Sequence, residues 1–91
     1  MNLYILSYVK NMEFRGNLVE YEKIRETINM LKKYDIEVSY ITQVKDDDRE
    51  IKRLLGIYRR TKKQSLRYKY INEIEYISRN LGSKPISPND F

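Results

Sequence analysis

From Leu3 to Val9 the chain reads LYILSYV, a run broken only by Ser7. Successive strand residues face opposite sides, so an apolar run of this length predicts a strand buried on both faces. The following NMEFRGN, Asn11 to Asn17, carries turn residues at its ends and a Phe in its middle. It reads as a loop or as the return arm of a short hairpin, with a third short strand possible around Met12 to Arg15. Asn17 stands three residues before Glu20, the spacing of a helix N-cap and its N3 carboxylate. Leu18, Tyr21, Ile24, Ile28, Leu31 and Tyr34 then recur in helical steps of three and four, and Lys32 and Lys33 suit the closing turn. These features predict a first helix.

After Asp35, EVSYITQVK alternates Val38, Tyr40, Thr42 and Val44 against Glu37, Ser39, Ile41 and Gln43, a half-buried strand by its period of two. Strand, helix and strand on short links predict a right-handed crossover between parallel strands. Asp46, Asp47 and Asp48 follow, with Glu50 three residues after Asp47, so a second helix is expected to start here. Its stripe of Ile51, Leu54, Leu55 and Tyr58 lapses over TKKQS, residues 61–65. A continuous helix from Asp48 to Leu81 would be about 50 Å long, too long for so small a sheet. Thr61 and Gln64 have capping-box spacing, so the helix is expected to break there. A third helix carries Leu66, Tyr70, Ile74, Ile77 and Leu81 and ends at Gly82. The expected architecture is one small α/β domain over residues 1–82 in the order β-α-β-α-α, with two or three strands and two C-terminal helices. Residues 83–91, SKPISPNDF, are left as an irregular C-terminal tail.

Charge changes the picture most. The chain has 91 residues and a net charge of +5, yet Arg49 to Tyr70 holds nine cations against the single acid Glu50. That segment is therefore +8 and the remainder −3, so the positive field belongs to one stretch. Tyr58, Tyr68 and Tyr70 lie among the cations, a pairing suited to holding phosphates beside stacked bases. The expectation is a non-enzymatic nucleic-acid-binding protein, a regulator or accessory factor, contacting phosphates through Arg53, Arg59, Arg60, Lys62, Lys63, Arg67 and Lys69. Two other readings compete. The cations could form a solvated face that pairs with the acids of the first helix. They could also bind an acidic protein surface, as inhibitors from viruses and mobile elements do. A helix-turn-helix lacks its small-residue turn at the required place.

Tyr68 and Ile71 fall off the third helix's apolar stripe at 100° per residue and are expected to be exposed together. Such a pair serves as a stacking platform or as a contact between two copies. A homodimer is also expected on size, since a chain this short buries only about 60 to 65% of its unfolded surface. There is no Cys to add disulfides or thiol chemistry, and no His to act as base or metal ligand. The three Asp read as helix caps, because adjacent side chains diverge and rarely meet at one ion. No catalytic residue, metal or cofactor is assigned. No apolar run approaches the roughly 20 residues of a membrane span, and the opening residues lack the leading charge of a signal peptide. An intracellular, cytoplasmic location without a membrane partner is expected.

Gly56, Ile57 and Tyr58 match the first triplet of the GIY-YIG nucleases, and Tyr76, Ile77 and Ser78 resemble the second. Both triplets lie within helical periodicity rather than on strands, and Ser78 replaces a Gly. The opening order is loosely similar to the catalytic domain of serine recombinases, without the Arg-rich motif around Ser7. No family is assigned on either likeness.

Overall fold

The fold was obtained as a computed structural model, which describes residues 2–91. Strands β1 (Leu3–Lys10) and β2 (Glu13–Glu20) form a hairpin with every residue paired, from Leu3 opposite Glu20 to Lys10 opposite Glu13. The turn consists of Asn11 and Met12, with φ of 53° and 64°. Two positive φ values in a row make the two-residue turn whose twist matches the flanking strands. The 11–17 region is thus the turn and the first part of the hairpin's return strand, and the expected helix start inside it is corrected. Asn17 does not cap a helix; it lies in β2 and accepts a 2.9 Å hydrogen bond from the Tyr8 hydroxyl. The ladder satisfies far more backbone groups than one cap would, so pairing overrides the local capping pattern. A short 3-10 turn, Tyr21–Lys23, leads instead into helix α1 (Ile24–Lys32).

Strand β3 (Tyr40–Gln43) lies on the other side of β1, giving the sheet order β2-β1-β3 and the chain order β-β-α-β-α-α. The α/β class and the two C-terminal helices agree with expectation. The parallel pairing of strands 1 and 2 does not, because β3 runs antiparallel to β1. The hairpin reverses the chain before α1, so the strand returning after α1 opposes β1. A crossover between like-directed strands survives, but it joins β2 to β3 with β1 between them.

Alternation along β1 divides the core. Leu3 and Ile5 pack with Ile51, Leu54, Leu55, Ile71 and Ile74, beneath helices α2 (Arg49–Arg60) and α3 (Gln64–Asn80). Leu6 and Tyr8 pack with Ile24, Ile28, Leu31 and Ile41 beneath α1. The sheet is therefore covered on both faces, which is why β1 is apolar throughout. β3 is covered on both faces too, rather than half-buried, since Ile41 and Thr42 are both fully buried. Thr42 meets this by donating a 3.0 Å hydrogen bond to Glu75 Oε2 on α3. Where α3 crosses β2, a Cβ at Gly16 would come within 2.7 Å of Ile71 Cγ2 and 2.9 Å of Ile5 Cγ2. Glycine sets how closely that helix approaches.

Residues 83–91 are largely irregular but docked. Ile86 and Ile41 exchange two 2.8 Å backbone hydrogen bonds, which covers part of the β3 edge. Phe91 then packs against Tyr4 and Tyr21, with ring centroids 6.0 and 6.1 Å away.

Candidate nucleic-acid interface

The basic stretch is built from the cap upward. Asp48, one residue beyond the acid expected from spacing, accepts a 3.1 Å hydrogen bond from the Ile51 amide and starts α2. Burial of Ile51, Leu54 and Leu55 turns Lys52, Arg53, Arg59 and Arg60 to solvent. α2 stops at Arg60, as the lapse in the stripe predicts. The capping box from Thr61 to Gln64 does not form, however. Thr61 closes α2, its hydroxyl donating to the Ile57 carbonyl at 2.7 Å, while Lys63 occupies the N-cap of α3 with no side-chain cap. A threonine hydroxyl at the end of a helix reaches the carbonyl four residues back, and that contact wins.

Arg67 fastens this junction. Its Nη1 donates to the Tyr58 carbonyl at 3.0 Å and to the Thr61 carbonyl at 2.9 Å, and its guanidinium lies 4.1 Å from the Tyr58 ring centroid. It thereby adds a second donor to the Tyr58 carbonyl, which also accepts from the Thr61 amide, and caps the Thr61 carbonyl just past α2, so it braces the junction. Arg53 is ion-paired with Glu50, which also raises its pKa. The other five predicted contacts, Arg59, Arg60, Lys62, Lys63 and Lys69, are exposed and form no ion pair among the described residues. They cluster about the end of α2 and the first turns of α3. Glu26, the one acid of α1, is paired with Lys23, and among the described residues no ion pair joins it, Glu20 or Glu22 to this cluster.

The expected Tyr68 and Ile71 pair is corrected. Ile71 is 1% exposed and packs in the core, because contact with β2 as well as α2 turns the buried face of α3 to Ile71, Ile74, Glu75 and Ser78, leaving Leu66 and Leu81 of the expected stripe exposed. Tyr68 is half-buried, with the Arg15 guanidinium 5.1 Å over its ring. Burial, followed by the nearby Tyr68, raises the pKa of Tyr8 above its ordinary 10.0.

Sequence reasoning missed an open groove of about 740 Å³ between the outer side of α3 and the β2 end of the hairpin. Phe14 and Tyr76 line it and remain 66% and 65% exposed. Asn72 anchors the hairpin to α3 by donating a 3.2 Å hydrogen bond to the Phe14 carbonyl. Ser65, Lys69, Asn72 and Tyr76 step by four, three and four, a helical face visible in the sequence. Phe14 joins it only through the hairpin register.

Among the described residues, no three acids gather as a metal site would require. The triplets at 56–58 and 76–78 lie inside α2 and α3, not on strands. No helix among the described residues is long and apolar enough to cross a membrane. Comparison of the chain with known protein families, curated proteins and solved structures finds no match.

Proposed function

We propose that this is a non-enzymatic nucleic-acid-binding protein whose phosphate contacts are Arg59, Arg60, Lys62, Lys63 and Lys69. The observation that carries the reading is the concentration of five exposed cations, none in an ion pair among the described residues, at the end of α2 and the first turns of α3. Arg59 and Arg60 sit in the last turn of α2, where positive charge stabilises the helix dipole. Lys62 and Lys63 have no such local reason. They stand at the amino end of α3, where the dipole is already positive and the first turn contains no acid. An arrangement unfavourable for the free protein becomes favourable once a polyanion lies across it.

The test is binding of fluorescent DNA and RNA, duplex and single-stranded, at about 50 and 200 mM salt. Five phosphate contacts give a log-log salt slope of about −4.5 on duplex DNA and about −3.5 on a single strand. The variant R59E/R60E/K62E/K63E should lose binding while keeping its fold by circular dichroism. Failure to bind any nucleic acid at the lower salt, where the electrostatic attraction is strongest, rules the proposal out. The junction would then be assigned to an acidic protein surface.

A further inference from the structure

We infer that the nucleic acid is single-stranded, its phosphates lying on the basic junction and its unpaired bases entering the groove along α3. This rests on the nucleic-acid reading above and narrows it to one class of ligand. The two surfaces belong to one helix: Lys62 and Lys63 lead directly into α3, and Ser65 and Lys69, on its first turns, line the groove. A strand held at the junction is thus delivered to the groove without a change of direction.

Apart from Lys69, which lines it and is the last of the phosphate contacts, the groove suits bases. Phe14 and Tyr76 present exposed aromatic surface, while the aromatic pairs among the described residues are confined to Tyr4, Tyr21 and Phe91. The rings at the groove are therefore free to stack on bases. Tyr68 forms a wall instead, since Arg15 lies over its ring. Glu13 and Glu73 also line it; Glu13 lies 3.5 Å from Arg15 Nη2, and the exposed carboxylate of Glu73 can accept hydrogen bonds from the exocyclic amino groups of unpaired bases. In a duplex those rings are stacked within the helix and cannot enter. The lining from Ser65 to Ile77 spans about 18 Å of helix. At the stacked spacing of about 3.4 Å that is room for roughly five nucleotides.

The experiment compares fluorescence anisotropy of a mixed-sequence 12-mer single strand with that of the corresponding duplex. The proteins are wild type, Phe14→Ala, Tyr76→Ala, and the double variant K62E/K63E. Both aromatic side chains are largely exposed, and thermal melts will confirm that their variants fold. Wild type should prefer the single strand, and each aromatic truncation should weaken single-strand binding roughly five- to a hundredfold while barely changing duplex binding. K62E/K63E should weaken both ligands. Duplex binding equal to or tighter than single-strand binding, or aromatic variants that lose nothing, overturns the inference but leaves the nucleic-acid reading intact. A mass halved by Phe14→Ala or Tyr76→Ala in sedimentation also overturns it, by making the groove a contact between copies. Absence of binding to either ligand overturns both readings.

Discussion

Thr42 is a polar residue buried on an edge strand of a sheet covered on both faces, and it is tolerated because one hydroxyl answers one carboxylate. It is fully buried and donates to Glu75 Oε2, which also lies 3.6 Å from Arg79 Nε. Thr42→Val preserves shape but removes the donor, leaving the carboxylate short of a partner in a dry place. The expected cost is about 1 to 3 kcal/mol, read as a lower urea midpoint with an unchanged slope. Tyr8 makes the corresponding argument for pH. Its pKa is raised in the folded protein, so the folded state holds the phenol proton more firmly than the unfolded chain does. The stabilisation is complete below pH 10 and is lost as pH rises through the elevated pKa, so the Tyr8→Phe variant should show a shallower alkaline fall in stability. The pairing of Thr42 with Glu75 could not be read from the chain, since they lie 33 positions apart. What could be read was alternation, and it correctly marks Thr42 as belonging to a strand.

Between elements, the α2–α3 junction depends on Arg67. A count of cations makes it one more phosphate ligand; its two carbonyl contacts and its position over Tyr58 make it a brace. Arg67→Ala should destabilise the fold by about 1.5 to 3 kcal/mol. Arg67→Lys should recover little of that, because an ammonium lacks the planar fork and the stacking face. Nucleic-acid affinity of the folded Arg67→Ala fraction should change less than about twofold, whereas loss of one phosphate contact would flatten the salt slope by about 0.7 to 0.9. The hairpin was also only partly legible. Asn11 announces a turn, but Gly16, which also reads as a turn residue, lies inside β2; strand length is decided by pairing with β1, and that pairing displaced the expected helix start to Ile24.

Over the whole molecule the sheet separates two electrostatic surfaces. α1 and its charges occupy one side, and the basic junction belongs to the other. Reversing Arg25, Lys32 and Lys33 on α1 to Glu changes net charge by six units, yet should weaken single-strand binding far less than reversing Arg59, Arg60, Lys62 and Lys63. Equal losses measured by anisotropy would mean that net charge, not the junction, governs affinity. Three properties followed from the chain alone: the presence of strands and helices, the break near residue 61, and the confinement of net positive charge to one stretch. Each depends on local periodicity or on composition, which neighbours in sequence determine. Strand direction, the covering of the β3 edge by Ile86, and the pairing of Thr42 with Glu75 were decided by tertiary structure. They depend on which distant groups satisfy one another, and a hydrogen bond or ion pair across 30 residues leaves no periodic trace in the sequence.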